Sequence, residues 1–162
     1  VLIMNGFRKE EEDIISMLLI KKIAVYINIL NCSIIKYFAK ELIKNGINLT
    51  PEQYLVMDIL WDEGVMSQQT IADIIQKDKN SVTKFIDSLE RKGLVYRSVN
   101  SNDRRVNDMI VSEEGMKLKH RTTEVAINMM RNVLANIEEK DLVVFDNVMN
   151  KIKNNIDSLI VE

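Results

Sequence analysis

Side chains that can bind a nucleic acid occur in two neighbouring segments of this chain. Residues 79–92 alternate apolar positions with hydrogen-bond donors, and the donors are Asn80, Ser81, Thr83, Lys84, Ser88 and Arg91. Asn and Lys side chains can read purine edges, and Ser and Thr can contact bases or phosphates. The pair Arg104-Arg105 lies beside turn-forming residues, where two charges have no packing role. A cation on such a tip can enter a DNA minor groove, where the negative potential is strong.

Each segment also has a simpler interpretation. Every surface helix is polar on its outer side, and an arginine pair is common in a soluble turn. Taken alone, the donors of residues 79–92 are better explained as a solvated helix face. The order of the two segments shifts the balance, because a recognition helix followed by a basic loop is the arrangement of a winged helix-turn-helix.

Capping residues predict the elements that would position these side chains. Residues 50–53, Thr-Pro-Glu-Gln, form a capping-box sequence that starts a helix ending at Gly64. Ser67 and Asp78 are expected caps of a short helix and of the helix over 79–92. The expected inward residues of these helices are Tyr54, Met57, Leu60 and Trp61, then Ile71, Ile74 and Ile75, then Val82, Ile86 and Leu89. Strands are predicted at 94–99 and 106–111, joined by the turn residues 100–103.

Three longer segments have helical spacing of apolar residues, over about 9–45, 112–136 and 138–159. The first is apolar over an arc so broad that it needs cover from other helices, of this chain or of a second copy. Its stripe comprises Leu19, Ile23, Ile27, Leu30, Ile34, Phe38 and Leu42. The fold class is therefore mainly α with a small β-wing: a winged helix-turn-helix flanked by long dimerisation helices. The predicted divisions are 1–49, 50–115 and 116–162.

The distribution of charge is more informative than its total. The net charge of the 162 residues is −2, which is mildly unfavourable for a DNA-binding protein. Residues 77–105 contain eight basic and four acidic residues, a local charge of +4, so the remainder carries −6. This polarity fits one face that meets phosphates.

Cys32 is the only cysteine, so no intrachain disulfide can form, which suits a reducing cytoplasm. It is expected to be a buried structural thiol rather than a sensor. No membrane span is expected, because Lys21, Lys22, Asn28 and Asn31 interrupt the apolar residues of 14–35.

Little in the sequence indicates catalysis. His120 is the only histidine and is expected at a surface or interface, so neither a metal site nor a Ser-His-Asp triad is indicated. No glycine-rich phosphate loop occurs, and no cofactor is expected. The nine methionines are expected in the core, with the lining of a ligand cavity as the alternative.

In its ordered motifs the chain resembles the MarR family of bacterial transcription regulators. The matching residues are Ser67-Gln68, Ile71-Ala72, Ser81-Val82-Thr83-Lys84, Asp87-Ser88-Leu89-Glu90, Gly93-Leu94-Val95, Arg97, Asp103-Arg104-Arg105 and Val111-Ser112-Glu113-Glu114-Gly115. With one long helix before and two after, the resemblance covers nearly the whole chain. It departs from the family in the wing, where residues 98–102 contain no proline, and at Glu138, where Ser or Thr often caps the last helix.

The resemblance implies a cytoplasmic homodimeric repressor that binds a palindromic double-stranded DNA operator. Helix 79–92 would enter the major groove, with Lys79, Asn80, Ser81, Thr83 and Lys84 on bases or phosphates. Ser67 and Gln68 would contact phosphates, and Arg97, at the start of the wing, would belong to the DNA-binding residues. Arg105 would enter the minor groove, Asp103 would brace the tip, and Arg104 would contact phosphate or form a salt bridge at the tip; the sequence does not rank Arg104 against Arg105.

A small aromatic or phenolic anion is the implied effector. Tyr37, Tyr54, Met57 and Trp61 lie where a pocket for it could form, and packing is the simpler role for Tyr54 and Trp61. The alternative to a DNA-binding regulator is a winged-helix module that binds protein, which the net acidity and the acids Asp87 and Glu90 slightly favour.

Overall fold

The computed structural model describes the backbone of residues 2–101 and 103–160, and the side chains of residues 14, 16–101 and 103–160. Its elements are α1 (Leu2–Lys44), α2 (Pro51–Glu63), β1 (Met66–Ser67), α3 (Gln68–Ile75), α4 (Lys79–Arg91), β2 (Val95–Val99), β3 (Asn107–Val111), α5 (Glu113–Val133) and α6 (Glu139–Ile160). This order confirms the predicted fold class. Residues up to Met129 form one compact unit and those from Met130 form another. The division into 1–49, 50–115 and 116–162 stays a prediction.

The helix boundaries follow from the caps that the sequence indicates. Thr50 accepts a hydrogen bond from the Gln53 amide at 3.2 Å, and the Gln53 side chain accepts one from the Thr50 amide at 3.2 Å. Helix α2 ends at Gly64, whose φ of 81° lies in a region that favours glycine. Ser67 and Asp78 cap α3 and α4 as expected. Reciprocal caps satisfy backbone donors that a helix start otherwise leaves open.

The core of the winged helix lies under α4. Val82, Ile86 and Leu89 are completely buried, which confirms the predicted inner face. Ile71 and Ala72 of α3 are buried as well. The prediction was wrong for the last turn of α3, because Ile74 is 49% exposed and Ile75 is half-buried. Ile74 lines a solvent-open recess with Met66 instead of packing inward.

Helix α2 and the sheet complete this core. Met57, Leu60 and Trp61 are buried, whereas Tyr54 is only half-buried. The strands pair antiparallel in the order β1-β3-β2, and Val95 lies opposite Val111. The Trp61 indole donates to the Gly115 carbonyl at 3.1 Å, which ties α2 to the first turn of α5.

The long helices are mostly uncovered in the single chain. Of the predicted α1 stripe only Phe38 and Leu42 are buried, and Ile34 is half-buried. No residue of α6 is buried. Exposed apolar surface on this scale is unfavourable in water.

Two expectations about α1 require correction. Cys32 is exposed rather than buried, because the helix around it has no cover in this chain. Residues Ser16–Lys44 are long and apolar enough to cross a membrane, with a window of mean hydropathy 1.7 that has no buried residue. Lys21, Lys22, Asn28 and Asn31 do not lower the mean hydropathy of this segment below that of a membrane-spanning helix. A core helix of a soluble assembly meets the same criterion.

Gly115 sits where a side chain has no room. A Cβ atom there would lie closer than 3.0 Å to the Leu94 carbonyl oxygen and to Val111 Cγ1. We expect Gly115→Ala to lower the free energy of unfolding by about 1–3 kcal/mol, since backbone must move to admit the methyl group. Urea unfolding at fixed protein concentration measures this change. Glu114→Ala, at the exposed neighbouring position, is the matched control, and equal stability of Gly115→Ala and wild type would contradict the packing.

Asp78 gives the fold an acid-dependent component. Hydrogen bonds from the Ser81 hydroxyl and amide hold the pKa of Asp78 below its usual value. A carboxylate with a depressed folded pKa stabilises the fold above its unfolded pKa, and this contribution is lost as the pH falls through the folded pKa. We expect Asp78→Asn to be less stable than wild type near neutral pH and equally stable well below about pH 3. Urea midpoints across this range test it, and a pH-independent difference would show that charge has no part in the cap.

Candidate nucleic-acid interface

The outer face of α4 presents three open donors. Asn80, Lys84 and Arg91 are exposed and recur at spacings of four and seven residues, opposite the buried apolar side of the helix. We call these three residues the open stripe. Lys79 is exposed at the start of the same helix. Amide, ammonium and guanidinium groups side by side can contact base edges and phosphates in one groove.

The other predicted donors of α4 bind within the protein. The Ser81 hydroxyl donates to Asp78 Oδ2 at 2.6 Å, and the Thr83 hydroxyl donates to the Lys79 carbonyl at 2.8 Å. Thr83 also accepts a hydrogen bond from Gln68 Nε2. Hydroxyls held in this way have fixed orientations at the stripe's edge.

Ser88 does not belong to the outward set, and that prediction was wrong. Its side chain is half-buried and accepts a hydrogen bond from Gln53 Nε2 at 3.0 Å. The position lies on the flank of α4 that faces α2, which helical spacing alone did not separate from the outer face.

A polar recess joins the starts of α3 and α4 to the wing. Its volume is about 210 Å³, and its lining includes Ser67, Gln68, Lys79, Arg105 and Asn107. We call it the wing recess. Two cations and the N-terminus of α3 around one recess form a suitable environment for a phosphate group. The structure thus brings together predicted site residues from three separate elements.

The wing tip is organised around Asp103. Its Oδ1 accepts from the Arg105 amide at 3.0 Å and from Arg105 Nε at 3.2 Å, and these bonds hold the pKa of Asp103 below its usual value. The Asp103 amide donates to Asn100 Oδ1 at 3.0 Å. Arg104 is exposed, and the Arg105 side chain is 91% exposed. Asn102, part of the predicted turn, lies outside the described residues.

Arg97 pairs with both acids of α4. Its guanidinium binds Asp87 Oδ1 at 2.5 Å and also pairs with Glu90 Oε2. The Arg97 side chain is only 25% exposed. Sequence reasoning assigned Arg97 to the site and Asp87 and Glu90 to an alternative function, but it missed their pairing. The sequence feature that could have predicted this pairing is the three-residue spacing of Asp87 and Glu90, which makes them neighbours on the surface of α4.

Gln53 and Lys92 are further residues that the sequence did not assign to this region. Lys92 Nζ donates to the Asn48 carbonyl and to Gln53 Oε1, each at 2.7 Å. In the sequence, Gln53 serves as a capping residue and Lys92 as the end of a helix. The contact between the two side chains depends on how α2 and α4 pack against each other, and the spacing of residues within each helix does not predict that packing.

The residues expected near an effector pocket are mainly packing residues. Tyr54 contacts Phe38 and Trp61 edge-on, with ring centroids 4.9 and 6.4 Å apart respectively. Burial and the neighbouring Asp58 raise the pKa of Tyr54 well above its ordinary value. Met57 and Trp61 belong to the core. These contacts support the simpler, structural interpretation.

A larger recess lies between α2 and α3, with a volume of about 550 Å³. Asp58, Asp62 and Glu63 line it, so its rim repels an anion. Lys119 neutralises part of this charge through an ion pair with Asp62 at 2.9 Å. Among the described residues no group of three or more His, Cys, Asp or Glu side chains is placed to hold a metal ion.

Comparison with known proteins identifies related sequences over this region. Residues 49–106 match the model of the MarR family. The chain is 34% identical over 86 residues to the HTH-type transcriptional regulator MhqR of Bacillus subtilis, covering 53% of this chain and 58% of the relative. It is 36% identical over 72 residues to the HTH-type transcriptional repressor MdtR of the same organism, covering 44% and 45%. The chain thus spans about half the length of these curated relatives.

Solved structures share the fold over a longer stretch. A MarR transcriptional regulator from Methanosarcina mazei superimposes with a TM-score of 0.77 at 19% identity, covering 86% of this chain and 99% of that one. Reduced AbfR bound to DNA superimposes with a TM-score of 0.68 at 20% identity, covering 87% of this chain and 96% of that one.

The organohalide-sensing regulator RdhR, in complex with 2,4-dichlorophenol, gives a TM-score of 0.76 at 20% identity, covering 85% of this chain and 80% of that one. At such identities these structures establish the fold. Together with the match over residues 49–106, they show a winged-helix fold whose central segment is similar to the MarR family.

Proposed function

We propose that this protein is a sequence-specific, double-stranded DNA-binding transcription regulator. The observation that carries the proposal is the open stripe of α4, which lies beside a wing recess with Lys79 and Arg105 and a wing tip with two exposed arginines. The names of the curated relatives and the DNA-bound structure of AbfR support the same function. These relatives are regulators, and nothing in the site indicates an enzyme.

The residues divide into three roles. Asn80, with Ser81 and Thr83 at the edge of the stripe, would contact bases, while Lys79 and Lys84 would bind phosphates. Ser67 and Gln68 would hold a phosphate at the N-terminus of α3. Arg105 would enter the minor groove, braced by Asp103, with Arg104 on the adjacent backbone. Arg97 would support the wing and α4 rather than bind DNA, because two carboxylates already pair with it.

A second copy of the chain is the proposed cover for α1 and α6. The apolar residues of α1 lie on every side of the helix, which fits a helical bundle. A membrane is the weaker candidate, since Lys21 and Lys22 would each cost several kcal/mol, about 2.5–3.5, at the centre of a bilayer. A symmetric dimer would present its two α4 helices to half-sites about 34 Å apart on a palindromic operator.

Repression relieved by a small molecule is proposed from two similar proteins. The relative MdtR is named a repressor, and the structural neighbour RdhR was solved with a chlorinated phenol. The acidic recess between α2 and α3 does not suit a phenolic anion, so we assign no effector residues.

The alternative of a protein-binding module has less support than the sequence suggested. It rested on the acidity of the chain and on Asp87 and Glu90 within α4. Arg97 pairs with both carboxylates and offsets one of their two negative charges, while Lys84 and Arg91 add two positive charges to the exposed side of α4. A gel shift against genomic fragments separates the two functions, and binding of no fragment would favour the alternative.

Substitutions on the open stripe should separate phosphate contacts from base contacts. Lys84→Ala should weaken binding to all duplexes and reduce the salt slope by about 1, because one phosphate contact is lost. Asn80→Ala should relax sequence preference by about 1–3 kcal/mol at one base position, with little change in slope. Fluorescence anisotropy with a fragment enriched from genomic DNA and with poly(dI-dC) measures both. Equal losses on both probes for both variants would refute this division.

Dimerisation is tested by sedimentation in solution. We expect a folded dimer at micromolar concentration, because burying the exposed faces of α1 and α6 stabilises the assembled state. Ile27→Glu, on the exposed part of α1, should shift the protein towards monomer, whereas Lys36→Glu on an exposed polar position should not. A stable wild-type monomer, or flotation of wild type with phosphatidylcholine vesicles, would contradict a second copy as the cover.

A further inference from the structure

A polar network around the buried Gln53 joins the end of α4 to the connection between α1 and α2. Gln53 is only 5% exposed, and each polar atom of its side chain has a hydrogen-bond partner. Its Oε1 accepts from the Thr50 amide at 3.2 Å and from Lys92 Nζ at 2.7 Å, and its Nε2 donates to Ser88 Oγ at 3.0 Å. Lys92 Nζ also donates to the Asn48 carbonyl at 2.7 Å. We call these contacts the Gln53–Lys92 network.

The network acts on one flank of α4. Ser88 and Lys92 are four residues apart, so their side chains lie one above the other along the helix. The inner face of α4 is apolar, and burial of apolar surface has no directional preference. The core therefore opposes removal of α4 from its position more strongly than it opposes rotation of the helix about its axis. Hydrogen bonds weaken steeply when their angle closes, so they fix the rotation of a helix about its axis. Arg97 binds Glu90 on the opposite flank and Asp87 on the outer side of the helix.

Lys92 is suited to this role rather than to contact with phosphate. Two of its three donors are directed at protein oxygens within 2.7 Å. The residue is half-buried, and burial lowers its pKa from the usual lysine value, so the ammonium depends on these acceptors. Lys84 differs, because it is exposed on the open stripe.

We infer that Gln53 and Lys92 are positioning residues for sequence recognition: their network sets the rotation at which α4 presents the open stripe to DNA. The inference rests on the proposed DNA-binding function. Asn48 and Thr50 lie in the segment that follows α1. The network therefore connects the recognition helix to the end of a proposed dimerisation helix. A base contact requires an orientation accurate to a fraction of a hydrogen-bond length, whereas a phosphate contact tolerates more.

The test compares Lys92→Met and Gln53→Met with Lys84→Met, using a fragment that wild type enriches from genomic DNA and poly(dI-dC). Lys92→Met should lose about tenfold in affinity for the enriched fragment, an amount typical of a lost charged hydrogen bond. Its affinity for poly(dI-dC) and its salt slope should stay near wild type. Lys84→Met should lose affinity for both and reduce the slope by about 1. Lys92→Arg, which keeps the charge and donors, should restore most of the discrimination.

A double-mutant cycle tests whether the two residues act as one unit. The Gln53→Met, Lys92→Met protein should be no worse in discrimination than the more severe single variant, since either change breaks the same network. Additive losses would overturn the inference. It would also be overturned if Lys92→Met weakened both probes equally and reduced the salt slope by about 1, because Lys92 would then be a phosphate contact. If Lys92→Met does not fold, Ser88→Ala removes a single bond of the network and takes its place.

A DNA-free measurement separates this inference from the proposed function. If wild type enriches no fragment, the proposed function fails, but the network remains testable by amide hydrogen exchange. Lys92→Met should then speed exchange in residues 84–92 and 48–53 together, while β2 and β3 stay protected. Unchanged exchange in α4 would show that the network does not hold the helix.

Discussion

The interface depends on how α4 is held. Its inner face is fixed by the complete burial of Val82, Ile86 and Leu89, and each flank is bound by directional polar contacts. On one side Gln53 and Lys92 connect it to α2 and to the segment after α1, and on the other Arg97 connects it to β2. What remains is a narrow outer stripe of donors. Immobilising a helix on three sides reduces the entropy that ordering it on a ligand would cost, which is the physical basis of preorganised recognition.

The electrostatics of the region follow from the same contacts. Two acids on a helix that meets DNA would repel phosphates, and here one arginine pairs with both and offsets one of their two charges. The wing uses a similar arrangement on a smaller scale, since Asp103 orders the backbone at Arg105 while most of the arginine side chain stays exposed. Structural carboxylates thus orient the cations of the proposed interface while the outer stripe keeps its positive potential. The net charge of the whole chain therefore describes the interface poorly.

The long helices have the opposite character. Among the described side chains of α1, the buried ones are Phe38 and Leu42 near its end, and α6 has no buried residue. Uncovered apolar surface on this scale is unfavourable in water, and a second copy of the chain is the proposed cover. The Gln53–Lys92 network includes residues that directly follow α1. The proposed dimerisation helix is therefore adjacent to the contacts proposed to orient α4.

The sequence by itself determined the elements and their ends, because caps, turn residues and apolar spacing act over a few positions. Thr50, Ser67 and Asp78 start their helices as predicted, and the inner face of α4 could be predicted from spacing alone. Most of the proposed site was also predicted as residue types on an outer face or a hairpin tip. Only the tertiary structure decided that Ser88 turns towards Gln53, that Arg97 pairs with two acids and that Cys32 is exposed. These outcomes depend on contacts between residues distant in the chain, or on the absence of a covering element, and local patterns carry no information about either.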